Sequence, residues 1–239
     1  FSLLFFVGLC PVFFVLSFFF FNVTAPTWIY TLSLHDPLPI YLYVAEIAQL
    51  ADPDFDYCQF DNDGPDNVPN SGDDDGYVDG IAVVYSGCGA EWGEGNDNLW
   101  PHMSSLGTSY QYTTNDASAN GGYIIVNSYF VAPELAGGGD CYTDIIRPIG
   151  VYAHEFGHIL GLPDLYDRDA DNGSSEGIGN WCLMAGGSWN GWAGDTPAHM
   201  SAWCKQEMCW VEPTVLVTEQ SGFDIPQTAT GRPSGRARG

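Results

Sequence analysis

The sequence predicts a loop-rich α+β fold, and three observations predict it. Two runs, Tyr77–Tyr85 and Tyr123–Val131, are β-branched and aromatic enough to form buried strands. A third segment, from Pro148 to about Leu160, places Ile149, Val151, Phe156, Ile159 and Leu160 where they give a helix a buried side. Twenty-nine glycines and fifteen prolines in 239 residues argue against a helical bundle. That length allows one large domain, or two subdomains around a cleft.

Residues 1–21 are apolar, with nine phenylalanines and no charge, long enough to cross a bilayer. They lack the basic start and small-residue cleavage site of a signal peptide. Residues 31–40, TLSLHDPLPI, resemble one reading frame of a widely used sequencing adapter, with Pro37 in place of its alanine. The expectation is that 1–40 is non-native sequence joined to a genuine chain. A signal-anchor and a native leader remnant are the competing readings of 1–21, and membrane association depends on one of them. The plausible chain then divides into an N-terminal subdomain, 41–160, and a C-terminal one, 161–230. A tail, 231–239, holds three of the six basic residues.

Residues 41–51 read as a short amphipathic helix that ends before Pro53. An aspartate-rich loop follows to about Gly76, then the first strand, a Gly-rich loop over 86–98, a polar turn over 113–122 and the second strand. Pro148 suits the first turn of the next helix. Gly177–Trp192 is loop, and Thr196 is placed to cap a helix from Pro197 to about Met208. Val215–Val217 and Phe223–Ile225 resemble short late strands. Trp181, Trp189, Trp192, Trp203 and Trp210 are expected in core and loop packing. His102 and His199 are read as structural.

The helix after Pro148 carries His154-Glu155-Phe156-Gly157-His158, continued by Gly161 and Asp164, which spells H-E-x-x-H-x-x-G-x-x-D. Positions i and i+4 share a helix face, so His154 and His158 can offer two imidazoles to one metal ion. Glu155 is rotated by about 100° from His154 and can reach a water there without displacing a histidine. Gly161 can take a positive φ and end the helix sharply, turning the chain so that Asp164 becomes a third ligand. Three protein ligands with one open position is the catalytic form of a zinc centre. The competing reading is a chance motif on a surface helix, and the apolar flanks speak against it.

Thirty acidic residues stand against six basic ones, which excludes a nucleic-acid-binding surface. Thirteen of the acids fall between Asp52 and Asp97, a density that repels itself unless a cation is held. The segment Asp73-Asp74-Asp75-Gly76-Tyr77-Val78-Asp79 resembles the core of a calcium loop, without the closing glutamate of an EF-hand. Asp61, Asp63, Asp75 and Asp79 are the expected Ca²⁺ ligands, a solvated acidic loop being the alternative. Without Cys10, six cysteines remain (Cys58, Cys88, Cys141, Cys182, Cys204, Cys209), with no C-x-x-C pair. An even number favours disulfides in an oxidising compartment, with pairing unspecified; buried free thiols are the alternative.

The motif HEFGHILGLPDLYD, residues 154–167, resembles the active site of the immune inhibitor A family of secreted bacterial metalloproteases. So do DDDGYVDGIAVVYSG (73–87), LWPH (99–102), LMAGGSWNG (183–191) and PAHMSAWCKQEMCW (197–210). The resemblance implies a zincin or metzincin-like fold. Its mixed sheet and active-site helix lie above the cleft, with a loop-rich lower subdomain and one C-terminal helix below. It also implies an extracellular zinc endopeptidase with structural Ca²⁺, acting on protein or peptide substrates. His154, His158 and Asp164 correspond to the zinc ligands and Glu155 to the general base for metal-activated water; Asp167 is the alternative third ligand. Met184 resembles the Met-turn beneath the zinc, against an ordinary core methionine. Gly186 stands where some relatives carry a tyrosine, which leaves Tyr166 as a candidate transition-state donor. Substrate is expected to pair with an edge strand, for which Tyr123–Phe130 is the candidate. The alternative function is a catalytically inactive, calcium-stabilised extracellular binding or adhesion module.

Overall fold

An antiparallel strand pair is followed by helix, mixed sheet and a loop-dominated second half. The elements are β1 (Ser2–Val7), β2 (Leu16–Phe21), α1 (Pro37–Ala51), β3 (Ile81–Cys88), β4 (His102–Ser105), α2 (Gly107–Tyr110), β5 (Tyr112–Ala117), β6 (Tyr123–Val126), β7 (Ser128–Leu135), α3 (Ile149–Ile159) and α4 (Ala202–Glu207). This computed structural model describes residues 2–7, 16–21, 37–92, 98–137, 145–169, 171, 173–215 and 221–222. Two compact units divide the chain, Phe1–Pro148 and Ile149–Gly239. The division precedes α3 instead of following residue 160. Close contacts of α3 run to later residues, as in the Gly150 N–H donated to Gly194 O.

The first unit contains a mixed five-stranded sheet in the order β2-β1-β3-β7-β4 and a separate β5-β6 pair. Strands β3 and β7 are parallel, and β4 closes the edge antiparallel to β7. Leu3–Phe6 of β1 pairs with Ile81–Val84, so the segment expected to be foreign supplies backbone to the other side of β3. Helix α1 likewise begins at Pro37, four residues before the expected start. Val44, Ile47 and Ala48 of α1 pack with Ile81, Val83, Ile124, Val126, Tyr129 and Val131 in one buried core. Tyr57 locks that packing by donating its hydroxyl to Ala48 O at 2.7 Å.

The expected strand over 123–131 is two strands. Asn127 interrupts it, accepting at its backbone carbonyl from Leu106 N and at Oδ1 from Gly107 N, so it holds a turn instead of a ladder. Strand β7 is paired on both sides from Tyr129 onwards, which removes 129–130 as a free edge for substrate. The first strand starts at Ile81 instead of Tyr77, because Tyr77 and Val78 bridge to Ile125 across the aspartate loop.

In the second unit, Ser201 caps α4, its hydroxyl accepting from Cys204 N, and Thr196 does not. Residues 197–199 form no helix, and their backbone is engaged by the loop before them: Ala198 N donates to Gly187 O and Leu183 N to His199 O. Trp181 is 85% exposed, and Trp189, Trp192 and Trp203 are exposed as well, so these rings are not core packing. The expected strands at 215–217 and 223–225 fall almost wholly outside the described residues. Cys58, Cys182 and Cys204 carry thiols here, so the expected disulfides are not formed among them. Cys88 is disulfide-bonded. Among the described residues no helix is long and apolar enough to cross a membrane.

Candidate metal centre

Helix α3 is shaped by its glycines as much as by its apolar side. At Gly150 the backbone of Ser188 and Gly194 approaches so closely that a Cβ would overlap Ser188 O. At Gly157 the side chain of Met184 takes the space a methyl would need. Met184 is fully buried, in a cluster with Leu162, Cys182 and Cys204. Gly161, at φ +87°, ends the helix: Leu162 N donates to Gly157 O and Gly161 N to His158 O, the two bonds of a left-handed helix stop. This turn returns the chain towards its own helix and carries Asp164 with it.

The result is a cluster of three groups that could hold a metal ion. Asp164 Oδ1 lies 3.1 Å from His154 Nε2 and 3.1 Å from His158 Nε2. Donor atoms about 2.0–2.2 Å from a tetrahedral zinc are separated by roughly 3.3–3.5 Å, so a zinc ion fits with adjustments of a few tenths of an ångström. The far nitrogens are committed elsewhere. His154 Nδ1 is 2.9 Å from Leu183 O and His158 Nδ1 is 2.7 Å from Leu162 O. Those carbonyls can only accept, so each Nδ1 donates and each Nε2 turns a lone pair inward. Burial lowers the pKa of His154, which favours the neutral, ligating form.

Around these three atoms stand an acid, a phenol and a guanidinium. Glu155 is buried, 7% exposed, one position along the helix from His154. Tyr166 stacks on His154 with ring centroids 6.3 Å apart. Its pKa is raised, first by burial and then by Asp164, with Glu155 contributing. Arg168 Nη1 approaches Asp164 Oδ2 at 3.4 Å, but its side chain is largely exposed and the pair is weak. Asp167 stands apart, with Oδ1 accepting from Asp169 N at 2.9 Å.

The aspartate loop regroups differently from the expectation. Asp61, Asp63 and Asp74 bring carboxylate oxygens within 4.8 Å of one another. Asp75 and Asp79 instead line, with Asp63, a neighbouring cavity of about 300 Å³. Asp74 was missed because a run of three aspartates in a loop has no period to say which one turns inward. Asp61 is 1% exposed, its Oδ2 is buried without a hydrogen-bond partner, and so is Asn62 Oδ1. Burial, with Asp74 beside it, pushes the Asp61 pKa up to about 6. Buried oxygens left over beside like charges suit a hard cation such as Ca²⁺. His102 is a packed residue, its Nδ1 2.8 Å from Trp100 O and its ring edge-on to Tyr129. His199 is exposed, at the rim of a cavity.

A family model described as immune inhibitor A peptidase M6, catalytic domain, matches residues 40–211. The chain belongs to that peptidase family. Among its relatives is "Immune inhibitor A" of Bacillus thuringiensis subsp. alesti, 34% identical over 154 residues, which is 62% of this chain and 20% of the relative. Another is "Pre-pro-metalloprotease PrtV" of Vibrio cholerae serotype O1 (strain M66-2), 34% identical over 172 residues, 67% of this chain and 17% of the relative. The chain thus spans about a fifth of the length of these family members. The matched region contains both the His-His-Asp cluster and the aspartate loop. Within it, the residues that sequence alone did not supply are Leu162 and Leu183, which act through backbone carbonyls, and Asp74.

Proposed function

We propose that this chain is the catalytic part of an exported zinc endopeptidase that hydrolyses peptide bonds in proteins. The observation that carries the reading is the convergence of His154 Nε2, His158 Nε2 and Asp164 Oδ1 at 3.1 Å, with both Nδ1 atoms held by carbonyls. Zinc, when bound, supplies Lewis-acid activation of a water and of the scissile carbonyl. The protein's own part is to hold and move protons. Leu183 O and Leu162 O keep the imidazoles oriented and their Nε2 atoms free of hydrogen. Glu155, adjacent on the helix, accepts the proton of the attacking water and delivers it to the leaving amine. Tyr166, stacked on His154, supports that imidazole as a positioning residue.

Asp61, Asp63 and Asp74 are proposed to hold a structural Ca²⁺ that offsets their mutual repulsion and organises the loop ahead of β3. Asp75 and Asp79 are outside that set, apart from the Asp75 N–H donated to Asp63 Oδ1. Export agrees with the acidic surface and the even number of cysteines over 41–230. The test is proteolysis of casein by the full chain after chelation and after zinc is restored. Activity that disappears with the chelator and returns with stoichiometric zinc supports the proposal. Activity indifferent to the chelator overturns it.

A further inference from the structure

We infer that Cys182 and Cys204 are the site of a disulfide that staples the Met184 loop to helix α4. Both residues are fully buried, and their sulfurs lie 3.8 Å apart. A disulfide needs about 2.05 Å, so each sulfur has to move by only about 0.9 Å. The partners already in place converge on the pair: Ser201 N donates to Cys182 Sγ and Ser201 Oγ to Cys204 Sγ, each at 3.3 Å. Those contacts hold both sulfurs in one small space on the N-terminal turn of α4. Among the described residues no third His, Cys, Asp or Glu joins them as a metal-ligating group. Burial raises the thiol pKa of Cys204, which suits a structural bond and not an exposed catalytic dithiol.

The location gives the bond a consequence. Cys182 immediately precedes Leu183, whose carbonyl orients His154, and lies two residues before Met184. Fixing Cys182 to α4 therefore restrains the loop that supports one imidazole. The chemistry balances with a small-molecule disulfide as oxidant, such as oxidised glutathione. One cysteine thiolate attacks the oxidant's sulfur, forming a mixed disulfide and releasing one glutathione thiolate. The second cysteine thiolate attacks the protein sulfur of that intermediate, closing the Cys182–Cys204 bond and releasing the second glutathione. Two protein thiols are oxidised, one glutathione disulfide is reduced, and the two thiol protons end on the two released glutathiones. Since both sulfurs are shielded in the fold, closure takes place as the chain folds.

The experiment refolds the full chain in a glutathione redox buffer, blocks remaining thiols, digests without reductant and maps the peptides by mass spectrometry. The expected result is a peptide joining Cys182 to Cys204, two hydrogens lighter than the reduced pair. Thiol-blocking reagent on both cysteines, or either one linked to Cys58 or Cys209, overturns the inference. Thermal denaturation tests the stapling itself. A bond closing the 22-residue separation should raise Tm by roughly 7–13 °C. The fall in Tm on adding reductant should exceed by that amount the fall in Cys182→Ala/Cys204→Ala. Equal falls contradict a staple, and if the double variant does not fold, the peptide map of the parent alone decides.

Discussion

Replacing Gly157 by alanine adds one methyl group between the two histidines of α3, on the side that faces Met184. In an ordinary exposed helix this change stabilises by about 1 kcal/mol, because glycine loses more backbone freedom on folding. Here the new Cβ falls well inside van der Waals contact of Met184 Sδ and 3.0 Å from its Cε. Methionine is flexible, but this one is fully buried against Leu162, Cys182 and Cys204, so its retreat moves the loop. Overpacking of that kind costs about 1–3 kcal/mol. Less the helix gain, Gly157→Ala should be destabilised by up to about 2 kcal/mol, a Tm fall of up to roughly 8 °C. The same displacement shifts Leu183 O away from His154 Nδ1, and loss of such an orienting partner weakens metal binding about 10–100-fold. Thermal denaturation with zinc competition against a fluorescent chelator measures both, and Gly157→Ala/Met184→Ala should recover much of the loss as a coupling energy. A Gly157→Ala protein with a higher Tm and the parent's zinc affinity would refute the placement of Met184 beneath the site.

Asp164→Asn should lower zinc affinity by at least about 100-fold, while Asp167→Asn leaves it within about twofold; the reverse order in the same competition assay assigns the third ligand to Asp167. The raised pKa of Asp61 means that the folded, calcium-free chain keeps a proton which the unfolded chain releases from about pH 4 upwards. Its contribution is therefore fully present below about pH 4 and lost as pH rises through about 6. Asp61→Asn should then raise the calcium-free stability at pH 7 by about 1–2 kcal/mol and remove the Tm gain given by Ca²⁺, both read by calorimetry at pH 4 and 7. If Asp61→Asn gains as much from Ca²⁺ as the parent, the ion lies elsewhere. Gly161→Ala, forced to keep φ near +87°, should lose about 1 kcal/mol and shift Asp164, lowering zinc affinity along with Tm. An unchanged affinity would mean that the helix stop does not position Asp164.

The His-Glu-x-x-His helix was legible because a 3.6-residue period converts spacing into a shared face without tertiary knowledge. Asp164 was legible through Gly161, whose positive φ is a local property of a residue without a Cβ. What holds those residues was not legible. Leu162 and Leu183 act through main-chain carbonyls, and any residue type offers the same oxygen. The aspartate loop misled for a related reason: with no period, Asp74 and Asp75 are equivalent in sequence, and only the folded loop turns Asp74 inward. Asn127 broke a run that looked like one strand because its side chain and carbonyl serve the Leu106–Gly107 turn. Thr196 looked like a helix cap, but the backbone after it is taken up by Gly187 and Leu183, and the start of α4 is deferred to Ser201.

The central claim is that one zinc ion, held by His154, His158 and Asp164, works with Glu155 as the proton carrier. Glu155→Gln tests it most directly, because the amide preserves shape and removes basicity. Zinc content by native mass spectrometry and casein hydrolysis should be measured on the parent and the variant together. The account predicts about one zinc per chain in both, with hydrolysis reduced by about 10²–10⁴-fold in Glu155→Gln. A variant that binds zinc and hydrolyses casein at the parent's rate contradicts it.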